Sequence, residues 1–146
     1  MELSPKFLII GNMLKKLWED ISQKIVLVSN YCETLDIFEN LCKQRSYPFI
    51  RFDGKTNIST RQQLVDRFNL PNTKARREFV FLLSAKAGGC GLNLIGCSKM
   101  ILLDPDWNPS NDAQVMGRIW RVGQRRPCNI YRMYAANSIE ERILDI

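Results

Sequence analysis

Five short runs, KIVLVSN, PFIRF, EFVFLLS, KMILLD and CNIYRMY, recur along the chain, and the strongest of them are apolar without alternation. A strand with one wet face alternates polar with apolar side chains. A strand that is apolar throughout must be covered above and below, as strands of a parallel sheet are. Between the runs the apolar positions switch to helical spacing, at Leu35, Phe38, Leu41 and Cys42 and again at Leu64, Val65 and Phe68. Strand alternating with helix predicts an α/β fold, a three-layer parallel sheet of the nucleotide-binding type.

The same reading places the elements. Ile10, Leu14, Leu17, Trp18 and Ile21 recur at helical spacing after Pro5, a residue that suits the first turn of a helix. Strands are expected over Ile25 to Val28 and over Pro48 to Phe52, the second closed by Asp53-Gly54. Ser59 with Gln62 three residues on predicts a capping box, and the polar stretch Asn69 to Glu78 predicts a loop. Ser138 and Glu141 are expected to cap a last helix. Ligands of parallel sheets bind beyond the carboxyl ends of the strands, where the loops opening with Ser29, Asp53, Ser84 and Asp104 are expected to fall.

Length and charge narrow the function. A chain of 146 residues is expected to be one domain, 1–146, large enough for its own core. Lys and Arg number 21 against 15 Asp and Glu, a net charge of +6 that favours polyanionic partners. There is no histidine, which excludes histidine-based acid–base catalysis, and the five cysteines form no C-x-x-C pair. No metal site is expected from them, and buried thiols of a reducing compartment, cytosol or nucleus, are the simplest reading. No apolar run approaches membrane-spanning length, so no membrane partner is expected.

Three segments could carry chemistry. In QVMGRIWRVGQ, Arg118 and Arg121 stand three apart on an expected helix, so both guanidiniums can reach toward one anion. The loop SAKAGGCGLNLIG, Ser84 to Gly96, has glycines that let backbone approach a phosphate closely or simply make a tight turn. It is neither a P-loop, since Cys97 stands where the lysine belongs, nor a dinucleotide fingerprint, since Leu94 stands where the third glycine belongs. In DPDWNPSNDAQ, Asp104 and Asp106 invite a magnesium reading, while loop stiffening with helix capping by Ser110 or Asn111 is the alternative; Trp107 could stack on a base or pack in the core. Basic pairs at Lys15-Lys16, Arg76-Arg77 and Arg125-Arg126, with Lys55, Lys86 and Lys99, would make a phosphate track if they shared one face.

In order, KIVLVSNYCETLD, RFDGKTNISTRQQLVDRFN, FVFLLSAKAGGCGLNL, ILLDPDWNPSND and QVMGRIWRVGQ resemble successive helicase motifs of the second RecA-like lobe of Swi/Snf-type ATPases. VSNYCETLD, SAKAGGCGLNLIG and DPDWNP look most like the Rad-type recombinational-repair branch, which implies a nuclear, ATP-dependent double-stranded-DNA translocase. On that resemblance Arg121 is the arginine finger, Arg118 a second phosphate contact and Gln114 the residue that opens the motif. Gly89 and Gly91 would face the interlobe cleft, and Ser84, Lys86, Ala87 and Gly88 the DNA backbone, with Arg125 and Arg126 adding to the track. Gly117 and Val122 depart from the commoner residues at their positions without touching either arginine.

The family's magnesium-binding acidic box and lysine loop belong to the first lobe, and neither occurs in this sequence. ATP and Mg2+ are therefore expected to be held mainly by the N-terminal RecA-like lobe of a longer protein, with a Rad-type recombinase filament or chromatin as further partners. A chromatin-remodelling lobe or a non-catalytic RecA-like binding module is the alternative. A Rossmann-type dehydrogenase is disfavoured by the failed fingerprint.

Overall fold

Parallel pairing joins every neighbouring pair of strands in the computed structural model, which describes residues 5–86, 94, 96–97, 99–104 and 129–132. The elements are α1 (Pro5–Trp18), β1 (Ile25–Ser29), α2 (Cys32–Gln44), β2 (Phe49–Phe52), α3 (Ile58–Asn69), β3 (Val80–Ser84), β4 (Lys99–Leu102) and β5 (Asn129–Arg132). The sheet order is β2-β3-β1-β4-β5. The central strands β1 and β3 are buried at every residue.

Successive strand residues point to opposite faces, and here both faces are dry. Val26, Val28, Phe52, Phe81, Leu83 and Met100 meet Val65 and Phe68 of α3 on one side. Ile25, Leu27, Val80, Leu82 and Ile101 meet Ile10 and Leu14 of α1 and Leu35, Phe38 and Leu41 of α2 on the other. This explains the missing alternation. The chain crosses from β1 to β2 in one direction along the sheet and returns from β2 to β3 in the other. Crossovers of a single hand must then lie on opposite faces, as α2 and α3 do.

Local details differ from the sequence expectation in three places. Asn57, not Ser59, caps α3: its side-chain oxygen accepts from the Ser59 backbone N–H at 3.0 Å and from the Ser59 hydroxyl at 2.9 Å. Gln62 turns away from the helix start and donates to Asp66 at 2.8 Å. Asparagine is among the best N-caps and stands two residues before Ser59, so helix geometry starts early enough to leave Ser59 inside the first turn. Ile21 lies beyond the end of α1 and is exposed. Strands β2 to β4 are shorter than the apolar runs, β2 and β3 starting at Phe49 and Val80 and β4 ending at Leu102, although single backbone hydrogen bonds continue to the Pro48 and Phe79 carbonyls and from the Leu103 N–H. The last expected helix, at Ser138 and Glu141, lies outside the described residues.

The loop between α3 and β3 clamps α1. The Arg77 guanidinium lies 3.7 Å over the Trp18 ring and donates to the carbonyls of Trp18 at 2.9 Å and Asp20 at 3.0 Å. Trp18 in turn packs on Tyr47 and Phe79. A cation at a helix C-terminus satisfies its last carbonyls and complements its dipole.

Candidate functional site

Four of the six buried polar or charged residues among the described residues, Ser29, Asp53, Ser84 and Asp104, stand at the ends of strands, the others being Lys24 and Glu78. Because the sheet is parallel, those four ends share one edge, the carboxyl edge where such sheets bind their ligands. The loops expected to open with these residues therefore leave the sheet side by side.

The centre of the edge is cross-tied. Ser29 Oγ donates to Asp104 Oδ2 at 2.6 Å, and Asp104 Oδ1 accepts from Asn30 N and Asn30 Nδ2, both at 2.8 Å. Ala85 N donates to the Ser29 carbonyl at 3.0 Å, and Leu103 N to the Val28 carbonyl at 2.8 Å. The Asp104 carboxylate, a magnesium candidate by sequence, is thus occupied on both oxygens by protein donors.

The β2 end is a second polar cluster. Arg51 bridges Asp53 at 2.9 Å and also pairs with Asp36 and Glu39 of α2. Burial lowers the Arg51 pKa, but hydrogen bonds and charge from Asp36 and Asp53 outweigh it and raise the guanidinium above its usual value. Asp53 also accepts from Lys55 N at 2.8 Å, while its own N–H donates to Thr56 Oγ1 at 2.9 Å. Burial pushes the Asp53 carboxyl up; the Lys55 N–H and Arg51 overcome it and hold the group below its ordinary range. Both carboxylates are thus hydrogen-bonded to protein donors on each oxygen.

Of the residues singled out by sequence, Ser84 is buried at the end of β3, in register with Ser29, and Lys86 is exposed two residues further on. Lys55 is exposed at the same edge. Ala87, Gly88, Gly89, Gly91, Gln114, Arg118, Arg121, Arg125 and Arg126 lie outside the described residues, as do Asp106, Trp107, Ser110 and Asn111. The single phosphate track does not form from the remaining cations. Lys99 opens β4 and Arg76-Arg77 precede β3, so these sit at the amino edge, together with the α1 terminus carrying Lys15-Lys16 that Arg77 holds. Strand direction, which a charge count cannot supply, separates the two groups.

Gly96 makes a close approach of a different kind from the one expected of a glycine-rich loop. Its N–H donates to Asn69 Oδ1 at 2.9 Å, and a Cβ on it would lie 2.5 Å from Asn69 Cα. The space it saves is against the end of α3. Arg51 and the Ser29–Asp104 contact went unassigned at the sequence level. The available signal was a lone arginine inside the apolar run PFIRF.

A covered parallel sheet with its motif-bearing loops gathered on the carboxyl edge defines the class: a three-layer, RecA-like α/β lobe of the nucleotide-binding type. Residues 6–123 match the model of the helicase conserved C-terminal domain, and the chain belongs to that family. It is 54% identical over 143 residues to a protein called "DNA repair and recombination protein RAD54-like" from Drosophila yakuba, and 53% identical to the protein of the same name from Drosophila erecta. Each match covers 98% of this chain and 18% of the relative. The crystal structure of the C-terminal part of the Fun30 ATPase domain superposes with a TM-score of 0.87 at 35% identity, covering 97% of this chain and 44% of that one. The Swi/Snf-type, Rad-like resemblance of the motifs holds.

Proposed function

We propose that this chain is the C-terminal lobe of a nuclear, ATP-dependent double-stranded-DNA translocase acting in homologous-recombination repair. The observation that carries this reading is the gathering of the Ser29, Asp53, Ser84 and Asp104 loops on one edge of the sheet, in a chain whose relatives are called DNA repair and recombination proteins. The chain spans only 18% of those relatives, so the motor belongs to a longer protein.

In this reading Arg121 supplies the arginine finger, with Arg118 beside it, Gln114 opening the motif and Gly89 and Gly91 lining the interlobe cleft. Ser84, Lys86, Ala87 and Gly88 line the DNA backbone, and Arg125 and Arg126 extend the contact. The engaged Asp53 and Asp104 carboxylates suit a lobe that donates positive charge rather than one that holds magnesium. ATP and Mg2+ would be held mainly by the other lobe, ATP supplying the phosphoryl group to be transferred and Mg2+ neutralising phosphate charge. This lobe swings its arginines onto the developing phosphoryl charge when DNA closes the cleft. Alternating closure with grip and release by the Lys86 loop converts turnover into steps along the duplex.

The test is hydrolysis by the complete protein with and without duplex DNA. Duplex DNA should stimulate turnover strongly, and the 146-residue chain alone should neither hydrolyse ATP nor bind duplex other than weakly, without sequence preference and with steep salt dependence. Turnover by the chain alone, or turnover of the complete protein indifferent to duplex, contradicts the reading.

A further inference from the structure

Ser29 joins three loops through its hydroxyl and its carbonyl. A serine hydroxyl has one proton to donate and lone pairs to accept with. Ser29 gives its proton to Asp104 at 2.6 Å and accepts the Tyr31 N–H at 3.0 Å, while its carbonyl accepts the Ala85 N–H at 3.0 Å. Asp104 closes the arrangement by taking both Asn30 donors at 2.8 Å. Ser29 is 1% exposed and Asp104 8%. A carboxylate so buried is costly unless its oxygens are paired, and short bonds to a charged acceptor are the strong kind.

With both oxygens of Asp104 occupied by protein donors, its contribution is placement. Ala85 hangs from Ser29 and immediately precedes the exposed Lys86, and the exposed Tyr31 hangs from the same hydroxyl. We propose that the Ser29 hydroxyl and the Asp104 carboxylate form a positioning tie that holds the first residues after β1, β3 and β4, Tyr31, Ala85 and Asp104, in one register, so that Lys86 meets the DNA backbone already oriented. The proposal rests on the translocase reading above and deepens it: Ser29 and Asp104 are positioning residues that touch neither ATP nor DNA.

The test uses the complete protein and two readouts. In duplex titrations of ATP hydrolysis, Ser29→Ala should raise the half-saturating DNA concentration about tenfold, equivalent to about 1.4 kcal/mol and close to the lower end for a hydrogen bond to a charged group. Turnover at saturating duplex should stay within about twofold, since the tie orients a contact and makes none in the transition state. Ser29→Thr, which keeps the hydroxyl, should restore the half-saturation point. An unchanged half-saturation point in Ser29→Ala, equal impairment in Ser29→Thr, or loss of maximal turnover alone overturns the proposal.

The second readout is amide hydrogen exchange without DNA. Asp104→Ala should accelerate exchange at Ala85, whose N–H bonds to Ser29 and not to Asp104; unchanged exchange at Ala85 overturns the tie. If the unmodified protein shows no stimulation by duplex, the translocase reading fails, and the exchange result alone then decides whether the loops are coupled.

Discussion

Gly96→Ala should destabilise this chain by more than its size suggests. The added methyl would stand 2.5 Å from Asn69 Cα, 2.8 Å from its carbonyl oxygen and 3.0 Å from its carbonyl carbon, all backbone atoms with no rotamer to turn aside. That backbone is the last residue of α3, and α3 is held there because Lys24 Nζ donates to the Phe68 and Leu70 carbonyls. On the other side Leu94 and Cys97, flanking Gly96, are packed in the core. Relief requires lifting the end of α3 or breaking the Gly96 N–H bond to Asn69. Overpacking costs about 1–3 kcal/mol and the lost hydrogen bond about 1 more, so a loss of roughly 2–4 kcal/mol is expected. Urea unfolding followed by circular dichroism measures it as a lower midpoint at unchanged slope. Gly54→Ala is the control, since nothing lies within 4 Å of its added methyl and its backbone is not left-handed; it should be neutral or stabilising by up to about 1 kcal/mol. A loss below about 0.5 kcal/mol for Gly96→Ala, or equal losses for both, would refute the close-approach argument.

Phe81→Ala, which removes a fully buried ring packed 5.0 Å from Phe68 and 6.0 Å from Phe52, should cost about 3–5 kcal/mol in the same unfolding experiment. Burial first, with the Glu39 charge second, pushes the Cys42 thiol up to about 12 against a partial offset from Arg45. The unfolded thiol loses its proton near pH 8.5, so this group's contribution to stability should fall as pH rises from there toward 12, and Cys42 should resist alkylation under native conditions while the exposed Cys32 reacts. Asp53 has the opposite sign: its lowered pKa contributes stability above about pH 4 that is lost as pH falls through the folded value, and Asp53→Asn should flatten that part of the stability curve.

The covered parallel sheet was legible because burial on both faces removes the alternation from KIVLVSN and EFVFLLS, and the carboxyl-edge residues followed from strand direction alone. The α3 cap was misplaced because NISTRQ offers two capping side chains, and the Ser-x-x-Gln spacing points to the second where the backbone turns at the first. Contacts between distant residues had no such local trace. Ser29 meets Asp104 across 75 positions of sequence, and Arg51 finds Asp36 across 15. Gly96 shows how one composition serves two ends: glycine permits close approach, and only the packing of α3 tells that the approaching group is backbone rather than phosphate. The segment proposed to carry the arginine finger was singled out by the spacing of Arg118 and Arg121 and lies outside the described residues.

In the proposed split ATP site, completed by Arg121 of this lobe, turnover against duplex DNA concentration in the complete protein is the decisive measurement. Arg121→Ala should leave ATP binding largely intact and lower maximal DNA-stimulated turnover by about 10³–10⁵-fold, roughly 4–7 kcal/mol of barrier. Arg121→Lys should rescue poorly, because an ammonium does not reproduce the planar fork. Arg125→Ala, by comparison, should raise the DNA concentration needed and reduce the salt slope while sparing the maximum. Maximal turnover of Arg121→Ala equal to that of the unmodified protein would contradict the account.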